Sequence, residues 1–260
     1  VHADVYGQLA GTLTAVPTRF STKHGFNEFR EGRPFALADR AVASLAHVHI
    51  AISRGLARYL ANTEGFDERS FDIVHYGIAP RDGLAPFPLD APRLLCVGRL
   101  IPIKGHIVLL RAFAAARREV PGLQLDIAGR GPLEPALRAL AKELGIADVV
   151  RFLGYVNPIQ GAIEESAVVV VPSMGEGGLL VSPGEAEPFA RAIVELASDL
   201  PRAERMGVAG RERALTHFLE ESCTERTEVL YRQALGEPQP PAGAAGQPVG
   251  DGPLRPSAAS

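Results

Sequence analysis

Two cations near the middle of the chain follow an apolar run at a spacing suited to holding a phosphate group. The segment Val97-Gly98-Arg99-Leu100 precedes Lys104-Gly105, and a stretch with helical periodicity begins directly afterwards. Amides at a strand end, the positive end of a helix and two nearby cations together form a suitable pocket for a diphosphate. The alternative is that Arg99 and Lys104 are solvated side chains on an ordinary loop.

A second glycine-containing segment, Gly129-Arg130-Gly131, follows the next apolar run. It is similar to the start of a dinucleotide-binding fingerprint, but Glu134 stands where that fingerprint requires its third glycine. A tight turn that needs glycine backbone angles explains the segment better. We therefore expect no nicotinamide cofactor.

Histidine and cysteine offer few further candidates for chemistry. His24 comes just after a predicted strand, where ligand-binding groups gather in open α/β sheets, although a loop histidine can also be merely solvated. His47 and His49 could share a strand face, yet no carboxylate or cysteine cluster near them completes a metal site. We expect no metal, and we expect Cys96 to be a core residue rather than a nucleophile.

Short apolar runs alternate with amphipathic stretches, which is typical of parallel strands joined by crossover helices. The pattern predicts an α/β fold in both halves of the chain. The strands predicted in the second half are Leu94 to Leu100, Leu123 to Ala128, Val149 to Leu153 and Ala167 to Val171. The strands predicted in the first half are Val16 to Ser21, Val48 to Ser53 and Asp72 to Tyr76.

Composition along the chain predicts two domains and a tail. Residues 1–80 form a first, incomplete α/β domain, and residues 81–92 form a proline-containing linker. Residues 93–235 form the C-terminal domain. Residues 236–260 are rich in Pro, Gly and Ala without periodicity, so we expect this tail to be disordered. The absence of an initiator methionine leads us to expect a truncated start.

Charge and cysteine content exclude several classes of protein. The chain has 260 residues, a formal net charge of -3 and a pI near 6.2, so it lacks the basic field that nucleic-acid binding requires. Its 2 cysteines cannot build a disulfide framework, which suits a reducing cytosol. The sequence contains none of the usual motifs of α/β-hydrolases, zinc proteases or P-loop NTPases.

The order of the motifs resembles that of the retaining GT-B glycosyltransferases of family 4, the glycosyl transferases of group 1. The resemblance covers about Val1 to Leu235. The segments that carry it are VGRLIPIKG at Val97 to Gly105, LDIAGRGPLEPAL at Leu125 to Leu137, VRFLGYV at Val150 to Val156, VVVPSMGEG at Val169 to Gly177 and GLLVSPGE at Gly178 to Glu185.

This resemblance implies a GT-B fold, in which two Rossmann-like parallel-sheet domains face each other across a cleft. Here both would be incomplete, and residues 1–80 would be the partial N-terminal, acceptor-side domain. It also implies transfer of a hexosyl group from a nucleoside diphosphate sugar to an acceptor hydroxyl, with retention of configuration and no metal or other cofactor. Arg99 and Lys104 would hold the donor diphosphate, and Tyr155 and Val156 would face the nucleobase.

The same resemblance assigns the two catalytic positions and shows a departure from the family pattern. His24 matches a histidine near the transferred sugar, and Glu176 matches the first glutamate of an E-x7-E arrangement. The eighth residue after Glu176 is Gly184 rather than glutamate, and Gly177 runs directly into Gly178. We therefore expect a deleted block after Glu176, and a catalytically inactive remnant is an alternative to an active transferase. A nucleotide-sugar 2-epimerase of the same fold is a further alternative.

The implied partners are a nucleotide-sugar donor and a sugar or lipid-linked acceptor, with no nucleic acid. No segment approaches the roughly 18 consecutive apolar residues of a membrane-spanning helix. We expect a cytoplasmic location, where a lipid-linked acceptor would bring the protein into peripheral contact with the inner membrane face.

Overall fold

The computed structural model describes residues 2–25, 40–80, 87–88, 92–172 and 184–238. These residues divide into two compact units, and the division falls inside one helix. The first unit holds the described residues between 2 and 80 together with 213–238, and the second holds the described residues between 87 and 212. Each unit contains its own parallel sheet, so the predicted α/β class is confirmed.

The first unit is built on three short parallel strands in the order β1-β2-β3. Its strands are β1 (Phe20–Lys23), β2 (Val48–Ala51) and β3 (Phe71–Ile73), and two of its helices are α1 (His2–Leu13) and α2 (Arg54–Glu64). Phe20 pairs with Val48, and His49 pairs with Phe71. Strand β1 begins later than the sequence predicts, and Pro17, which has no amide hydrogen to donate, lies in the part that does not pair.

Helix α2 shows how local sequence fixes an element of this unit. The Ser53 side chain accepts a hydrogen bond from the Leu56 amide at 3.1 Å and so caps the first turn. Leu56, Ala57 and Leu60 lie on one face and pack against the sheet, where they are almost fully buried. Gly65 ends the helix in the left-handed conformation at φ 72°, which a residue without a side chain adopts most easily.

The last helix of the chain belongs to the first unit. Helix α8 (Glu220–Leu235) brings Leu230 into a core cluster with Ile50 and Val74, and the Tyr231 ring lies 4.4 Å from that of Phe20. The sequence assigns residues up to 235 to the C-terminal domain, whereas residues from 213 onward group with the first unit. The physical reason is the apolar face of α8, which is buried on the first sheet.

The second unit contains a four-stranded parallel sheet in the order β6-β5-β4-β7. Its strands are β4 (Arg93–Val97), β5 (Gln124–Ala128), β6 (Val150–Gly154) and β7 (Val168–Val169). Its helices are α3 (His106–Glu119), α4 (Glu134–Glu143), α5 (Gln160–Glu164), α6 (Ala186–Ala197) and α7 (Leu200–His217), which contains the division between the units. The four strands predicted from Leu94 onward are therefore present, and three of them are shorter than predicted while β6 is shifted by one residue.

Helices α3, α4 and α6 supply the core that holds this sheet. Leu109, Leu110 and Phe113 of α3 are fully buried in the same cluster as Leu125 and Ile127 of β5. Removal of such large side chains from water is the main favourable term in folding. The sequence of a strand that is buried on both faces is a continuous apolar run, and this is why these strands can be predicted from the sequence.

A buried carboxylate ties three strands of this sheet together. Asp126 on β5 accepts a hydrogen bond from Nε of Arg151 on β6 at 2.7 Å, and Arg93 on β4 lies 3.3 Å from the same carboxylate. The Asp126 side chain is only 4% exposed. The hydrogen bond to Asp126 raises the pKa of Arg151, and burial opposes this rise. The pairing keeps the buried charge from standing alone, which would be costly.

Candidate functional site

The candidate anion site lies where strands β4, β5 and β6 end. The Gly98 amide donates a hydrogen bond to the Ala128 carbonyl at 3.0 Å, and the Gly129 amide donates one to the Gly154 carbonyl at 2.7 Å. These bonds continue the sheet pairing beyond the strands, so the three loops are held side by side. The carboxyl edge of a parallel sheet is where open α/β proteins bind ligands.

Two glycines allow the loops after β4 and β5 to approach each other closely. A Cβ atom on Gly129 would lie 1.8 Å from the Gly98 carbonyl oxygen, and the Gly129 backbone has φ 154°. A Cβ on Gly131 would lie 2.4 Å from the Leu100 carbonyl oxygen. The glycines of the Gly129-Arg130-Gly131 segment are therefore required by close backbone packing, in agreement with the turn explanation.

Arg99 and Lys104 stand on the loop between β4 and α3. Arg99 is exposed, and Lys104 ends a short 3-10 helix, Pro102–Lys104, directly before Gly105 and the first turn of α3. Within the described ranges, neither side chain makes a hydrogen bond or an ion pair. Two unpaired cations beside the amino end of a 14-residue helix are an arrangement that favours a bound anion.

The charge of Lys104 also affects two buried groups beneath this loop. Burial, and after it the positive charge of Lys104, lowers the pKa of His106. Burial raises the pKa of Cys96 to about 12, which the charge of Lys104 offsets only in part. Cys96 is 1% exposed in the core cluster, so it is a neutral packing residue, as the sequence predicted.

His106 is a polar group that the sequence analysis missed. It is the first residue of α3 and is 1% exposed, yet neither ring nitrogen has a hydrogen-bond partner. The ideal Cβ position of Gly98 lies 4.0 Å from His106 Cε1 and 4.0 Å from the Lys104 side chain, so these residues lie together under the loop. A histidine at the first position of a helix after Lys-Gly was the available signal.

Tyr155 and Val156 follow β6, at the same edge of the sheet. Tyr155 is 69% exposed, and Val156 is partly buried. Gly154 has φ 68° and turns the chain outward before Tyr155. The hydrogen bond from Gly129 to Gly154 links this turn to the loop after β5. The structure thus brings Arg99, Lys104 and the Tyr155 turn to one sheet edge.

Arg130 lies between these two parts of the edge, although the sequence pattern around it indicates only a turn. Its backbone carbonyl accepts a hydrogen bond from the Leu100 amide at 3.0 Å. Its exposed side chain extends toward β6, since its Nε lies 3.7 Å from the ideal Cβ position of Gly154. An arginine between two glycines at the carboxyl end of a strand was the available signal.

His24 lies in the first unit, directly after β1. Its Nδ1 is 2.5 Å from the Tyr76 hydroxyl, and the two rings are stacked with their centroids 5.9 Å apart. Both side chains are exposed, so His24 can meet a ligand while Tyr76 holds it. The sequence singled out His24 but not Tyr76.

Glu176 and the segment that follows it up to residue 183 lie outside the described residues. The expected deletion after Glu176 therefore stays a prediction. In the part of the chain that the structure describes, no three His, Cys, Asp or Glu side chains are grouped as a metal site would need. Over the same part, no helix has the length and apolar character needed to cross a membrane.

This chain is similar to known glycosyl transferases. Residues 91–178 match the family model described as glycosyl transferases group 1. The D-inositol 3-phosphate glycosyltransferase of Streptomyces griseus is 30% identical over 242 residues, which are 76% of this chain and 51% of that protein. The lipopolysaccharide core biosynthesis glycosyltransferase LpsE of Rhizobium meliloti is 29% identical over 170 residues, 53% of this chain and 49% of that protein.

The chain thus spans about half the length of these two curated relatives. Among solved structures, Alr3699/HepE of Anabaena in complex with UDP has the same fold, with a TM-score of 0.76 at 16% identity. That match covers 89% of this chain and 76% of the Anabaena chain. The similarity confirms the predicted GT-B fold class.

Proposed function

Because this chain is related to the group 1 glycosyl transferases, we propose that it transfers a hexosyl group from a nucleoside diphosphate sugar to an acceptor hydroxyl. The observation that carries the proposal is the pair of unpaired cations at the carboxyl edge of the second sheet. Arg99 and Lys104 lie on one loop, and the amino end of α3 adds partial positive charge next to them. A bound diphosphate would balance the charge of Arg99, of Lys104 and of the amino end of α3.

In this reaction Arg99 and Lys104 would stabilise the departing nucleoside diphosphate. When the bond between the sugar and the diphosphate breaks, negative charge grows on the phosphate oxygen that leaves. Arg99 and Lys104, fixed on a loop that glycine contacts hold to the sheet, favour that charged state over the ground state. The positive charge comes from the chain, so our proposal includes no metal ion or other cofactor.

At the sugar end we assign His24 and Glu176. His24 is supported by its exposure and by its contact with Tyr76, which fixes the ring. Glu176 is supported by the family resemblance of its segment, and its carboxylate would orient the donor sugar. Retention of configuration is part of the same proposal, and the anomeric coupling of the product in an NMR spectrum tests it.

At the nucleoside end we assign the turn containing Tyr155 and Val156. The exposed Tyr155 ring is suited to contact with a base or ribose, because an aromatic side chain supplies a large apolar surface with a polar tip. The acceptor that we propose is a sugar or lipid-linked hydroxyl compound. With a lipid-linked acceptor the protein would work at the inner membrane face, and co-flotation with acceptor-containing vesicles tests this location.

Calorimetric titration of the purified chain with UDP, GDP and ADP tests the donor site directly. We expect saturable binding of at least one nucleotide, and we expect Lys104→Ala to weaken it about tenfold, as loss of a hydrogen bond to a charged group does. Lys142→Ala is the matched control, since Lys142 is exposed in the last turn of α4. Helix α4 runs from the carboxyl to the amino edge of the sheet, so its last turn lies away from the site.

Loss of binding in both lysine variants, or in neither, would contradict the assignment of Lys104. A folded chain that binds no nucleotide would favour the alternative of an inactive remnant, which the Gly184 position in the E-x7-E pattern suggests. Incubation with the matching nucleotide sugar then separates the remaining functions. A transferase releases nucleoside diphosphate and forms a glycoside, whereas an epimerase converts the sugar.

A further inference from the structure

Arg130 is a third cation at the candidate site, and the proposed function gives it no role. In the second unit the arginines of the sheet and of α4 have carboxylate partners: Arg93 and Arg151 pair with Asp126, and Arg138 pairs with Glu134. Arg130 has no such partner among the described residues, and neither do Arg99 and Lys104. Three unpaired cations therefore follow β4 and β5 at one edge of the sheet.

The position of Arg130 is tightly fixed, although its side chain is exposed. Gly129 and Gly131 on either side both pack against backbone carbonyls of the β4 loop. The Arg130 carbonyl accepts a hydrogen bond from Leu100. Because the backbone of Arg130 is already fixed, ligand binding has to order only its side chain, which limits the entropic cost of binding.

The side chain of Arg130 extends toward β6 and not toward the loop between β4 and α3 that carries Arg99 and Lys104. Its Nε lies 3.7 Å from the ideal Cβ position of Gly154, the last residue of β6 and the neighbour of Tyr155. Neighbouring strands are about 4.8 Å apart, so the end of β6 lies roughly 10 Å from the end of β4 along the edge. That separation matches the length of a nucleoside attached to a diphosphate on the β4 loop.

We infer that Arg130 is a specificity-determining residue, which binds the nucleobase of the donor and favours bases that carry a carbonyl group over adenine. The inference rests on the proposed function, because it assigns the nucleoside end of the same site. A guanidinium presents several N–H donors in one plane and accepts nothing. Uracil offers carbonyl acceptors, and guanine offers O6 and N7.

Adenine is less suited to this position because of its amino group. Its outer edge pairs one acceptor, N7, with the N6 amino donor, which cannot accept a hydrogen bond from arginine. An arginine aimed at this edge would keep part of its donor set unsatisfied, and unsatisfied polar groups are costly once water is displaced. A preference of about tenfold or more for UDP or GDP over ADP is the expected result.

The test is calorimetric titration of the full chain and its variants with UDP, GDP, ADP and inorganic pyrophosphate. In Arg130→Ala we expect pyrophosphate affinity to stay within about twofold and the affinity for the preferred nucleotide to fall about tenfold, so that the preference over ADP disappears. Arg130→Lys keeps the charge but loses the planar donor set, so we expect it to lose the preference as well.

Arg118→Ala is the matched control, because Arg118 is an exposed arginine in the last turn of α3, at the opposite edge of the sheet. We expect it to bind all four compounds as the wild type does. Circular dichroism melting curves of each variant show whether it is folded.

Four results would overturn the inference. An equal loss for pyrophosphate and nucleotide in Arg130→Ala would make Arg130 a phosphate ligand. A preference that is unchanged in Arg130→Ala, or a wild-type preference for ADP, would remove Arg130 from base recognition while leaving the proposed donor site intact. A folded wild-type chain that binds neither nucleotide nor pyrophosphate would instead overturn the proposed function, and the assignment of Arg130 with it.

Discussion

The carbonyl oxygen of Gly98 lies where a side chain at position 129 would begin. A Cβ built on Gly129 would be 1.8 Å from that oxygen, far inside any permitted contact. The two glycines directly follow the neighbouring strands β4 and β5, and their contact fixes the loop that carries Arg99. The candidate anion site therefore depends on a close backbone contact that tolerates no side chain at this position.

We predict that Gly129→Ala lowers the free energy of unfolding of the second unit by about 3 kcal/mol or more, because the added methyl group must push two strand ends apart. The backbone angle, φ 154°, adds strain for any residue with a side chain. Gly122→Ala is the control, since a Cβ there meets nothing within 4 Å. Urea unfolding curves of the two variants should differ clearly, and similar curves would contradict the contact.

Removal of the buried charge at Asp126 tests the ion pairs across the sheet. Asp126→Asn leaves Arg151 and Arg93 without a carboxylate, and we expect a loss of about 2 kcal/mol, less than for a fully buried pair because Arg151 is half exposed. Glu134→Gln removes the surface partner of Arg138 and should cost less than about 0.5 kcal/mol. Chemical denaturation measures both, and a loss that is equal in the two variants would contradict the burial argument.

The stability of the second unit should depend on pH through His106. Burial and the charge of Lys104 hold its pKa below the ordinary 6.5, so the unfolded chain takes up a proton more readily than the folded chain. Stability is then fully present above about pH 6.5 and falls as the pH drops through the folded pKa. Melting temperatures measured from pH 7.5 to pH 5 should show this fall.

The variant His106→Gln separates this contribution from that of His49, whose pKa burial also lowers. We expect the pH-dependent part of the melting temperature to shrink in His106→Gln. Lys104→Met should shrink it as well, because one of the two causes of the shift is removed. An unchanged slope in His106→Gln would show that the buried ring does not contribute.

The contact between His24 and Tyr76 should fix the orientation of the histidine ring. We predict that Tyr76→Phe changes the nitrogen NMR signals of His24, because the hydroxyl that lies 2.5 Å from Nδ1 is lost. Both side chains are exposed, so the melting temperature should change by less than about 2 °C. Identical His24 signals in the wild type and in Tyr76→Phe would show that the tyrosine does not hold the ring.

The sequence by itself determined the class of fold and the loop between β4 and α3 that carries Arg99 and Lys104. Buried parallel strands are continuous apolar runs, and the helices between them repeat apolar residues at helical spacing, so local periodicity was sufficient to find β4, α3 and β5. Arg99 and Lys104 could also be found from local sequence, because both lie on one short loop between a predicted strand and a predicted helix.

Only the tertiary structure decided which distant residues meet. His24 and Tyr76 are separated by 52 positions and share a hydrogen bond because β1 and β3 belong to one sheet. Helix α8 packs on the first sheet although it follows the second unit in the chain. Arg130 reaches the end of β6 because glycine contacts bring the loops together. Such contacts depend on strand order and packing, which local sequence patterns do not encode.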